Sequence, residues 1–135
     1  MYKNPLTLKQ EKPRLLFAED DPDQSEMMTE ALQDAGYIVD TAFSGEAAER
    51  KLRRNKYDLI VLDVRMPGVD GVTLLRRIRK HEQGARVPVI MASAFATDRD
   101  LEHYKEIGAD TGFSKPYETS DLVNAVATLL GRAIK

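Results

Sequence analysis

Five polar side chains stand directly after short apolar runs, and their types suggest one kind of chemistry. Glu19 and Asp20 follow Leu15-Leu16-Phe17-Ala18, Asp63 follows Tyr57-Asp58-Leu59-Ile60-Val61-Leu62, Ser93 follows Val87-Pro88-Val89-Ile90-Met91-Ala92, and Lys115 closes the run from Thr111 to Ser114. Gathered at one place, the three carboxylates would repel strongly. Each like-charged pair at 4 Å costs about 4 kcal/mol at an effective dielectric near 20. Such a cluster must raise a pKa, recruit a cation, or do both. Its donors are hard oxygens with no His or Cys among them, which favours Mg²⁺ over zinc. A carboxylate beside Mg²⁺, a lysine and a hydroxyl is equipped for phosphoryl transfer. The carboxylate is the nucleophile that forms an acyl phosphate, and the cations offset charge on the phosphoryl oxygens.

The elements needed to bring these residues together can be read from the pattern. Each apolar run is too short and too unbroken for an amphipathic helix, and suits a strand buried on both faces. Helical patterns fall between the runs. Met28, Ala31, Leu32 and Ala35 form one stripe, with Asp23 and Glu26 as an expected capping pair and Gly36 as the stop. Ser44 opens a second helix running to about Asn55, with Glu46 early and Arg53 and Arg54 late, in the sense the helix dipole favours. Gly71, Leu74, Leu75 and Ile78 mark a third helix. Asp98 begins a fourth, with Leu101, Tyr104 and Gly108 on its inner side. Near Thr119 a fifth starts, carrying Leu122, Ala125, Val126, Leu129, Leu130 and Ala133. The order is (βα)₅, which implies a doubly wound five-stranded parallel α/β sheet with right-handed crossovers. In such sheets ligands bind beyond the carboxyl ends of the strands, the edge at which all five polar residues emerge. A cis-like turn signal, Met66-Pro67-Gly68, would aim the backbone carbonyl of Arg65 back toward the metal.

Composition narrows the alternatives. A chain of 135 residues suits one domain. It holds no cysteine, which excludes disulfides, thiolate catalysis and Cys-based zinc sites. A formal charge of −2 gives no reason to expect direct binding to nucleic acid or to an anionic membrane. The N-terminal segment has no apolar run of the secretory kind, and no stretch approaches the roughly 20 apolar residues of a membrane span. Residues 1–13 are polar and read as a flexible N-terminal arm, residues 14–133 as the folded domain, with no effector domain in this chain. A cytoplasmic location fits the missing cysteines. The basic runs Arg50-Lys51-Arg53-Arg54 and Arg76-Arg77-Arg79-Lys80 read as exposed helix faces, and His81 and His103 as solvated surface residues.

Over residues 14–133 the sequence resembles a response-regulator receiver domain of the two-component, CheY-like superfamily. The motifs that carry the resemblance are LLFAEDDP, LIVLDVRMPGVDG, VIMASA and GFSKPY, in the family's order and spacing. The resemblance implies a sheet order of 2-1-3-4-5. It makes Asp63 the phosphoacceptor, taking a phosphoryl group from a sensor histidine kinase or phosphotransfer protein. Glu19, Asp20, Asp63 and the Arg65 carbonyl then bind Mg²⁺, while Ser93 and Lys115 contact the phosphoryl oxygens and couple phosphorylation to a shift of the α4-β5-α5 face. A monomer or weak homodimer is expected, with the downstream partner unspecified.

Several features depart from the pattern or tune it. Family members commonly carry an aromatic residue three places before the lysine, and here that place is Gly112. Phe113, the next residue, should face the other side of the sheet. Arg65 and Phe95 flank the path of an attacking water, and neither can orient one, so self-dephosphorylation should be slow. Three other readings compete. A phosphatase of the haloacid-dehalogenase kind would need an acid at position 65, where this chain has arginine. A flavodoxin-like flavin site would need a Ser/Thr-rich loop after strand one, where EDDPDQ would repel a phosphate. A degenerate receiver used only for interaction remains open because of Gly112.

Overall fold

The computed structural model describes residues 12–81 and 86–134, the last three as backbone only. Most of the expected N-terminal arm lies outside the described residues. Five strands and five helices alternate along the chain: β1 (Arg14–Ala18), α1 (Pro22–Asp34), β2 (Ile38–Ala42), α2 (Gly45–Arg54), β3 (Leu59–Asp63), α3 (Gly71–Lys80), β4 (Val89–Ala94), α4 (Asp98–Glu106), β5 (Thr111–Lys115) and α5 (Thr119–Ile134). All strand pairs are parallel, and the sheet order is β2-β1-β3-β4-β5. Both the architecture and the order are those expected.

The unbroken apolar runs are explained by a core on each face of the sheet. Leu16, Ala18, Ile60 and Leu62 pack with Leu74, Leu75, Ile78 and Tyr104 on the side of α3 and α4. Leu15, Phe17, Leu59 and Val61 pack with Met28, Leu32, Leu122 and Val126 on the side of α1 and α5. Alternate residues of one strand serve opposite cores, so none can be polar until the strand ends. Each fully buried Leu, Ile or Phe contributes about 1.5–3 kcal/mol of transfer free energy.

Some boundaries differ from those expected. Asp21, not Asp23, caps α1: its Oδ1 accepts from the backbone N–H of Asp23 at 3.0 Å and of Gln24 at 3.4 Å. Pro22 takes the first helical position, where its fixed φ is favourable and no N–H is missed. The outer end of the expected stripe, Ala35, is exposed and serves as the C-cap. Helix α4 stops at Glu106, so Gly108 lies beyond it, at φ +121° in the turn into β5. The capping box of α4 pairs Thr97 with Asp100. The second strand, expected over Tyr37 to Ala42, starts at Ile38, and β3 and β4 start at Leu59 and Val89, two residues inside the expected runs. The cis peptide bond among the described residues is Lys115–Pro116, not Met66–Pro67.

Candidate functional site

The register lines up the strand ends. Ala18 pairs with Leu62, Asp63 with Ala92, Ser93 with Ser114, and Ala94 with Lys115. Residues at the ends of β1, β3, β4 and β5 therefore leave the sheet at one edge. Glycine permits the close approach behind this edge: a Cβ on Gly71 would come within 2.3 Å of the Asp63 carbonyl oxygen, so only glycine lets α3 start so near β3.

Three of the expected residues are directly joined. The Lys115 ammonium donates to Glu19 Oε1 at 2.5 Å and to Asp63 Oδ2 at 3.2 Å. Each remaining carboxylate oxygen of this pair accepts from backbone: Asp63 Oδ1 from the N–H of Arg65 at 3.3 Å, and Glu19 Oε2 from the N–H of Asp21 at 3.2 Å. Glu19 and Asp63 are nearly enclosed, at 2% and 6% exposure, whereas Asp20 is open to solvent. Oxygens of Glu19, Asp20 and Asp63 lie within 4.8 Å of one another. Ser93 is buried at the end of β4, and no hydrogen bond joins its hydroxyl to the cluster. The Arg65 side chain points into solvent while its backbone folds onto Asp63.

Electrostatics follow from this geometry. Burial pushes the Glu19 carboxyl above its ordinary value, the Lys115 hydrogen bond opposes this, and the charge of Asp63 adds to the rise. For Lys115, burial alone would lower the pKa. The Glu19 hydrogen bond and the charges of Asp63 and Glu19 outweigh it, and the net shift is upward. A lysine that faces two carboxylates stays charged.

Two further residues belong to this neighbourhood. Asp21 caps α1 and holds Glu19 through its own N–H. Tyr117 stacks on Phe113 with ring centroids 5.1 Å apart. Burial, then the charges of Glu19 and Asp63, drive its hydroxyl well above the ordinary tyrosine range. Asp21 is signalled in the sequence by the proline after it. Nothing in the spacing marks Tyr117 as sensing the cluster.

At β5 the expected departure takes physical form. A Cβ on Gly112 would meet Leu101 Cδ2 at 3.1 Å and Tyr104 Cδ2 at 3.7 Å, so side chains from α4 already fill that face. Phe113 packs with the opposite core, as alternation requires. Tyr104 is 7% exposed. Phe95, by contrast, is 89% exposed and sits at φ +56°, in the left-handed region uncommon for an aromatic residue.

The donor set fits a hard divalent cation: three carboxylates converge, with no softer ligand among them. The response regulator receiver domain model matches residues 15–127. The chain belongs to that family. The receiver is 37% identical over 120 residues to the transcriptional regulatory protein TctD of Salmonella typhimurium, a match covering 89% of this chain and 53% of TctD. It spans about half the length of the curated relatives it matches. Among solved structures, it resembles the receiver domain of the Francisella response regulator 1452, with a TM-score of 0.85 and 31% identity over 90% of this chain and 99% of that one. It also resembles the receiver domain of the sensor histidine kinase PA1611 from Pseudomonas aeruginosa, a structure with a magnesium ion in its active-site cleft. That TM-score is 0.81, with 31% identity over 90% of this chain and 99% of that one. No helix among the described residues is long and apolar enough to cross a membrane.

Proposed function

We propose that the receiver takes a phosphoryl group onto Asp63 from the phosphohistidine of a sensor kinase or phosphotransfer protein, in a cytoplasmic two-component relay. The observation that carries this reading is the pairing of Asp63 with Lys115 inside a cluster of three carboxylates at the sheet's carboxyl edge. An Asp63 oxygen attacks phosphorus while the bond from phosphorus to the histidine nitrogen breaks. The acyl phosphate remains on Asp63 and the freed imidazole leaves with the partner. Glu19, Asp20, Asp63 and the Arg65 carbonyl would hold Mg²⁺, which when bound supplies positive charge opposite the phosphoryl oxygens. Lys115 supplies a second positive charge, exchanging a carboxylate oxygen for a phosphoryl oxygen as the group arrives. The Ser93 hydroxyl, free of other hydrogen bonds, donates to a further phosphoryl oxygen. Arg65 and Phe95 cannot orient a water, so the acyl phosphate decays slowly.

The test is intact mass after treatment with acetyl phosphate and Mg²⁺. The parent gains one phosphoryl group, while Asp63→Asn and the parent in EDTA gain none. Equal labelling of parent and Asp63→Asn would overturn the assignment, and decay of the parent's mark within seconds would overturn the slow loss.

Two observations bear on output. Gly112 holds no side chain to rotate, and Leu101 and Tyr104 occupy that face. We infer that α4 carries the conformational signal through these two residues, in the role the family usually gives to an aromatic on β5.

A further inference from the structure

A second place in the fold is built for a partner, at the opposite end of the sheet from Asp63. A trough of about 910 Å³ opens between the carboxyl-terminal halves of α2 and α3. Its accessible floor is apolar, formed by the half-buried Leu52, Tyr57 and Val87. Arg53, Lys56 and Lys80 stand on its rim, all exposed, and none makes an ion pair among the described residues.

The rim carries net positive charge. Arg77 and Glu49, which also line the trough, pair with each other at 2.8 Å and cancel, so the rim keeps the charge of Arg53, Lys56 and Lys80. The chain as a whole is net negative. Basic residues in the last turn of a helix are partly explained by the dipole, which contributes about half a negative charge per carboxyl terminus. Two such termini offset about one of the three rim cations. Roughly two positive charges remain, beside an apolar surface open to water.

We propose that the trough between α2 and α3 is a docking site for an acidic amphipathic helix of a partner protein, with apolar side chains on the floor and carboxylates facing Arg53, Lys56 and Lys80. The paired chemistry of floor and rim selects this occupant. A helix of this kind buries apolar residues between two packed helices while its flanks meet the rim charge. A nucleic-acid backbone would gain from the rim and nothing from the floor, against a chain that is net negative. Strand β3 separates the trough from Asp63 by five residues, roughly 15 Å. A partner held here leaves the phosphorylation edge uncovered, so it can stay bound while a kinase approaches.

The test uses fluorescence anisotropy with a fluorescein-labelled amphipathic peptide of glutamate and leucine, leucines on one helical face. The parent binds it, and the triple variant R53E/K56E/K80E weakens binding at least about tenfold. A matching peptide of lysine and leucine shows the reverse preference, binding the variant more tightly than the parent. Asp63 labelling by acetyl phosphate is the same in both proteins. Equal affinity of parent and variant for the glutamate peptide, or no binding by the parent, overturns the proposal. So does concentration-dependent growth in sedimented mass that the triple variant abolishes. That result would give the trough to a second copy, whose α1 carries four acids and no base and exposes Met27.

Discussion

Two partly buried cations sit at opposite ends of the sheet and are held by different means. Lys115, at the carboxyl edge, is balanced by the carboxylates of Glu19 and Asp63. Arg79 lies near the other edge. Its Nε donates to the Gly108 carbonyl at 2.9 Å, one terminal nitrogen to the Val87 carbonyl at 2.6 Å, and the other to Asp110 at 3.1 Å. Asp110 in turn accepts from the N–H of Val89 at 2.8 Å. Arg79 thus ties α3 to the start of β4 and the turn before β5 through two backbone carbonyls and a carboxylate that a backbone N–H itself holds. Lys115 is tied to groups that can take a proton, a metal or a phosphoryl group. The first arrangement is a fixed joint and the second a replaceable one.

Replacing each cation by methionine breaks the comparison open. Arg79→Met should cost about 3 kcal/mol in urea unfolding, because two carbonyls and a carboxylate lose a charged donor. Mg²⁺ should recover none of it. Lys115→Met should cost about 2 kcal/mol in EDTA, since two enclosed carboxylates are left facing each other. Millimolar Mg²⁺ should recover much of that, because a cation that binds only the folded state stabilises it. Equal response of both variants to Mg²⁺ would erase the distinction.

Smaller effects refine the picture at β5 and α4. Gly112→Tyr must displace Leu101 and Tyr104, and should cost about 2 kcal/mol through overpacking. Gly112→Ala meets only the end of the Leu101 side chain at 3.1 Å and should stay within about 1 kcal/mol of the parent. The least effect belongs to Asp100. Its backbone and side-chain hydrogen bonds with Thr97 lower its carboxyl pKa below the ordinary 3.8. A lowered carboxyl stabilises the fold above its unfolded value and loses that contribution as pH falls through the folded one. Asp100→Asn should therefore be slightly less stable than the parent at pH 7, with the gap closing below pH 3.8 in thermal melts.

The sheet was legible because its strands are buried twice. Runs such as Leu59 to Leu62 admit no polar residue until they end, so Asp63 announces itself. The register then placed Glu19 and Lys115 beside it although 96 residues separate them. The helix starts were harder. Asp23-x-x-Glu26 imitates a capping box, and only Pro22 shows that Asp21 is the cap. Gly108 lay on the extrapolated stripe of α4, yet no periodicity tells where a helix stops. The trough was hidden for another reason. Arg53 and Lys80 sit in runs that read as solvated helix faces, and only tertiary packing sets them around an apolar floor.

The stack of Phe113 on Tyr117 has an optical consequence. The chain contains no tryptophan and five tyrosines, so its near-ultraviolet signal belongs to tyrosine. Tyr117 lies in the electric field of Glu19 and Asp63, and its ring is fixed against a second aromatic. Charge arriving at Asp63 changes that field without a dye or an inserted chromophore. The protein carries its own gauge, readable by difference absorbance or tyrosine circular dichroism.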